Sequence, residues 1–209
     1  MKKFLRFAAG AIGFVAATML SAAASATVLT SSLSVDNGFF AYISTSDADF
    51  GTVFSQGNDW ATTYTDSTTL NAGTDYYLHV FGYDQGGVAG MLGQFSLSGT
   101  DHVFANGTTS LLTNTTDWSG SMDSFGTSYT ALTVLGNNGV GPWGTRPDIG
   151  SGATWIWVGD ANNNDLAFFS TKISATAAGA DVPEPASAAL LGLGLLAVAA
   201  TRRKTTKRR

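Results

Sequence analysis

The chain has 209 residues, with 11 Lys and Arg against 15 Asp and Glu, and no cysteine, so disulfides, thiol catalysis and thiolate metal sites are excluded. Nine of the basic residues lie at the two ends of the chain. Thr27 to Asp181 then holds only Arg146 and Lys172 against fourteen Asp, a net charge of about −12 that disfavours nucleic acid as a partner.

Lys2, Lys3 and Arg6 precede an apolar run from Phe7 to Leu20, followed by Ala24–Ser25–Ala26. Positive, apolar and small-residue segments in that order predict a signal peptide over residues 1–26. Ala24 and Ala26 supply the small side chains of the cleavage box, with the cut after Ala26. Residues 27–178 are expected to form one domain, long enough to bury a core without disulfides.

Within that segment short alternating runs are separated by Gly, Ser, Thr, Asn and Asp, and helix-forming Glu, Lys and Arg are scarce. Phe39–Ile43 follows the Asp36–Asn37–Gly38 turn. Tyr76, Leu78 and Val80 alternate with Tyr77, His79 and Phe81. Phe95 and Leu97 oppose Gln94, Ser96 and Ser98, and Trp155–Val158 and Ala167–Ile173 complete the set. Period-two runs without an amphipathic helix predict an all-β protein, an antiparallel two-sheet β-sandwich.

Five tryptophans are candidates for stacking on a sugar ring or for filling the core. Trp155 and Trp157 share the parity of one strand and are expected on one face, in the core. Trp60 and Trp143 lie in turn-rich segments and are the candidate carbohydrate-binding residues. Asp160, Asn162 and Asn164 place hard oxygens at alternating positions, a pattern expected first of a polar hairpin loop and compatible with calcium as the alternative. His79 and His102 lack metal-binding spacing and are expected to be structural. No nucleophile elbow, phosphate loop or zinc motif occurs. A non-catalytic protein is therefore expected, without a cofactor unless calcium occupies the Asp160 loop.

Asp36–Ile43, Gly57–Asn58–Asp59–Trp60, Leu78–Phe81, Thr116–Asp117–Trp118, Gly141–Pro142–Trp143–Gly144 and Trp155–Ile156–Trp157 together resemble galactose-binding-like jelly-roll domains. The resemblance implies a jelly-roll-like sandwich, usually non-catalytic and often a carbohydrate binder.

Residues 179–185 form a linker ending in Val182, Pro183, Glu184 and Pro185. The prolines hold this tetrapeptide extended and keep a helix from starting before it. Residues 186–201 are predicted as an apolar helix, short for a bilayer span, and 202–209 as a basic tail retained in the cytoplasm. The tetrapeptide, apolar helix and arginine cluster resemble the PEP-CTERM sorting signal. That resemblance implies an exosortase as partner in a Gram-negative bacterium. It also implies passage through the inner membrane to the cell surface or extracellular matrix. The expected function is a surface or matrix protein that binds exopolysaccharide. A structural extracellular protein without a small ligand, and more remotely a carbohydrate-active enzyme, are the alternatives.

Overall fold

The computed structural model describes residues 26–176. Residues 1–25 of the expected signal peptide, including Ala24 of its cleavage box, the linker with Val182–Pro185, the apolar helix and the basic tail all lie outside the described residues. So does the boundary expected at residue 178.

Twelve strands and no helix make up the described chain. In order they are β1 (Thr27–Asp36), β2 (Gly38–Ser44), β3 (Thr52–Gly57), β4 (Tyr64–Leu70), β5 (Tyr76–Tyr83) and β6 (Gly90–Leu97). There follow β7 (His102–Phe104), β8 (Ser110–Leu112), β9 (Ser119–Ser121), β10 (Leu132–Asn137), β11 (Thr154–Val158) and β12 (Leu166–Ala175). One sheet runs β10-β11-β6-β1-β4, and β8 shares with β11 the edge of β6 away from β1. The other runs β3-β2-β5-β12-β7, with β9 beside β12. Every pairing is antiparallel, as the sequence pattern predicts.

Alternation sets the inner faces. Leu29, Leu33 and Val35 of β1 and Met91, Phe95 and Leu97 of β6 bury against Phe39 and Ala41 of β2, Leu78 and Val80 of β5, and Phe169 and Ile173 of β12. A fully buried side chain of this kind stabilises by roughly 1.5–3 kcal/mol over an exposed one. β1 holds the centre of its sheet despite its serines, because Ser31 and Ser34 find partners in Asp66 O and Trp60 O. The two sheets also touch along one side, where Ser55 of β3 donates to Asp66 of β4 at 2.7 Å.

A smaller second core covers the outer face of the first sheet, where Leu92, Trp143, Ile149, Ala153 and Trp155 pack together. It corrects one expectation. Trp155 and Trp157 are both buried, but Trp155 belongs to this outer cluster and Trp157 to the main core. The reason lies in β11, which pairs with β6 at Ile156 alone and faces a register shift in β10 between Val134 and Gly136. Such an irregularity increases local twist and re-aims side chains. The segment Asp160–Asp165 is likewise a crossing from one sheet to the other, from β11 to β12, and not a hairpin within one sheet.

Candidate functional site

The outer face of the second sheet is built from Phe40 and Tyr42 of β2, Tyr77, His79 and Phe81 of β5, and Phe168, Ser170 and Lys172 of β12, through the pairings that join these strands. Loop residues Phe50 and Phe125 cap its aromatic part. Phe125 stacks on His79 at 4.2 Å between centroids, and Phe50 meets Tyr42, Phe125 and Phe168 edge-on. Burial pushes the His79 imidazole below its ordinary range, which its bond to Ser46 O only partly opposes.

The polar part stays open as a cleft of about 260 Å³. Its walls include Asp47, Tyr77, Thr116, Asp117, Ser119, Tyr129, Ser170 and Lys172. Asp47 Oδ1 accepts from Tyr129 Oη and Ser170 Oγ, each at 2.7 Å. Burial, reinforced by the Asp47 charge, pushes the Tyr129 phenol up, so it remains a neutral donor. Asn114 fixes the opposite wall: its Nδ2 donates to Asp117 Oδ2 at 2.9 Å and its Oδ1 accepts from Asp117 N at 2.8 Å. Lys172 is paired with Asp75 at 2.8 Å at the surface. A half-buried Tyr77 ring flanked by fixed carboxylates and hydroxyls can stack on the C–H face of a saccharide and hydrogen-bond its rim.

The two tryptophans singled out from the sequence are placed apart from this cleft and unlike one another. Trp60 is 36% exposed, and the Arg146 guanidinium lies 5.5 Å from its ring centroid. Trp143 is 4% exposed, stacks on Trp155 at 4.3 Å and donates from Nε1 to Asp36 Oδ2 at 2.8 Å. Its turn-rich sequence reads as surface loop, yet the loop folds back as the lid of the second core.

In the Asp160 loop the side-chain oxygens are engaged locally. Asp160 Oδ1 accepts from Asn162 N at 3.0 Å and Oδ2 from Asn163 Nδ2 at 2.6 Å, and these bonds hold the Asp160 carboxyl below its usual range. Asn164 Nδ2 donates to Val158 O and Leu166 O, bracing the crossing. His102 bridges Thr27 Oγ1 at 2.9 Å and Thr74 O at 3.0 Å. Asp47, Tyr77 and Asp117 are not distinguished as a set by the sequence. They are spread over seventy residues of sequence, and only the outward parity of Tyr77 opposite Lys172 hints at a shared face.

Fold and cleft together define an all-β, two-sheet protein with an open polar site on one sheet's outer face. Beyond them, residues 181–204 match the PEP-CTERM protein-sorting motif. The chain therefore carries the signal of an exosortase substrate: a protein exported, held transiently at the membrane, and then extracellular. No match to the chain is found among curated proteins or among solved structures.

Proposed function

We propose that the described domain is a non-catalytic, matrix-associated polysaccharide-binding module, delivered through the inner membrane of a Gram-negative bacterium and retained among its exopolysaccharide. The observation that carries this reading is the cleft on the second sheet, which Tyr77 lines together with Asp47 and Asp117. Tyr77 is a better platform than Trp143, whose ring is enclosed by Trp155 and the outer core. Trp60 remains a separate edge position, exposed beside Arg146. The acidic surface favours neutral or cationic glycans over acidic ones. The non-catalytic reading is supported by Asp47 Oδ1 and Asp117 Oδ2, which are already engaged by internal donors that position them as fixed acceptors. The resemblance to galactose-binding-like domains points the same way.

Affinity electrophoresis of the full chain through gels containing neutral bacterial polysaccharides tests the reading. Retardation is expected in at least one polysaccharide, reduced about tenfold or more in apparent affinity by Tyr77→Ala, since losing one stacking ring and its bonds removes on the order of 1.5 kcal/mol. If Trp60→Ala abolishes retardation and Tyr77→Ala does not, the site is the Trp60 edge and the cleft is wrong. No retardation in any gel favours the structural reading, in which the polar face serves solubility alone.

A further inference from the structure

β10 ends the first sheet, with β11 on one side and no strand of the described chain on the other. Among the described residues, no backbone hydrogen bond beyond the pairing with β11 reaches Leu132–Gly136, so the outward N–H and C=O groups of this edge are open. The nearest brace stops short of it: Thr130 N donates to Gly120 O at 2.8 Å, before the strand begins. An open row of donors and acceptors is a template for a further strand.

The other edges differ. β4, at the opposite end of the same sheet, meets β3 through the Ser55–Asp66 bond, so these two shelter one another. β7, β8 and β9 have three residues each and are too short to template a ladder. The devices that ordinarily block a long edge are missing from β10, which holds neither a charge nor a proline. Its register shift between Val134 and Gly136 shortens the flat stretch without covering it. Val134 is 54% exposed, the most open large apolar side chain among the described residues, and Thr133 beside it is exposed as well.

Charge points to what can meet this edge. Thr27–Asp181 carries about −12, so two copies of the chain repel one another over most of their surface. Residues 124–145 are the longest uncharged run in that segment, and β10 lies within it. Like-charged copies can therefore approach edge to edge at β10 without setting aspartates of these strands against each other. Antiparallel pairing about a twofold axis is self-complementary and closes both open edges at once. A foreign strand would only move the open edge outward by one strand.

We infer that β10 is a self-association edge: two copies pair their β10 strands antiparallel about a twofold axis, joining their first sheets across Val134. The paired stretch is short, so the dimer is weak and reversible, of the small-interface class. On the polysaccharide reading, pairing makes the module bivalent and strengthens retention on a polymer without a new sugar contact. The pairing itself does not depend on that reading.

The absence of cysteine allows a clean trap. Thr133→Cys and Val134→Cys are made singly in the full chain, in mild detergent, and oxidised with copper–phenanthroline. Val53→Cys, at a 45% exposed position on β3, reports random collision and any association through other parts of the chain. At least one β10 variant should form disulfide-linked dimer about tenfold or more faster than Val53→Cys, because pairing raises the effective thiol concentration. Adding Val134→Glu to Thr133→Cys should return the rate to that of the control with Tm unchanged. Hydrogen exchange of the wild type supplies a second reading: the amides of Leu132–Leu135 should slow as protein concentration rises. Equal trapping at β10 and Val53, or trapping that survives Val134→Glu, overturns the proposal. So does protection of β10 that is independent of concentration, which would mean that the chain's own remaining residues cover the edge.

Discussion

Arg146 is only 8% exposed, yet among the described residues its guanidinium has no carboxylate within salt-bridge distance, and the one ion pair there is that of Lys172 with Asp75. It works instead through hydrogen bonds and packing. Nε reaches Ser34 Oγ at 3.4 Å, Nη2 reaches Trp60 O at 2.9 Å, and the planar group lies against the Trp60 indole. Asn138 holds its backbone, donating to Arg146 O and accepting from Arg146 N. A charge so used leaves Asp59 and Asp36 influenced but unpaired. His79 is the titratable counterpart on the opposite face. Its imidazole is buried neutral between Tyr77 and Phe125, with Nδ1 unpartnered, and its folded-state pKa is lowered. The sign follows: the unfolded chain binds the proton more readily, so this contribution is complete above the ordinary histidine pKa of about 6.5 and is lost as pH falls below it. Chemical denaturation at pH 7.5 and 5.0 should show the wild type losing stability toward acid, and His79→Gln losing measurably less. Equal acid loss in both proteins would remove His79 from the account.

The second core depends on a close approach at Gly90. A Cβ there would stand 2.8 Å from Trp143 Cζ2 and 2.9 Å from Trp155 Cε3, closer than van der Waals contact with both rings of the stacked pair allows. Gly90→Ala must therefore displace the pair or the strand, and overpacking of this kind costs roughly 1–3 kcal/mol. A lower denaturation midpoint, with loss of the near-ultraviolet circular dichroism of the coupled indoles, is the expected outcome. An unchanged spectrum would mean that the pair is not wedged against β6. Elements of this sort also mark how far the sequence could be read. The five runs with apolar alternation all became strands, three of them (β2, β5 and β12) as neighbours in one sheet. β1 was illegible because Thr30, Ser31, Ser32 and Ser34 look like turn chemistry, and only long-range partners such as Asp66 and Trp60 make them strand residues. The three-residue strands β7, β8 and β9 are too short for any period to register. The open cleft was hidden for a related reason: its walls come from β5, β9, β12 and four loops, and nothing in the local sequence announces their convergence.

For the molecule as a whole, the working domain and its address are separate devices. The motif lies at residues 181–204, beyond the last described strand of the acidic sandwich. Replacing Glu184 and Pro185 with alanine should therefore leave the fold unaltered and trap the protein at the membrane with its tail uncut. Fractionation and intact-mass measurement check this, and normal surface delivery of the variant would show that the motif is not read.

The place of β12 has a consequence for timing. This last of the described strands is inserted between β5 on one side and β7 and β9 on the other, and its end at Ala175 pairs with His102, which in turn bonds Thr27 at the start of β1. The second sheet cannot close until β12 has been delivered, so its closure waits until nearly all of the described domain has emerged. Contacts that join the first and last strands are slow to form by their long loop closure. In an exported protein that delay is useful: the second sheet, and with it the closed sandwich, locks only when translocation of the domain is nearly finished.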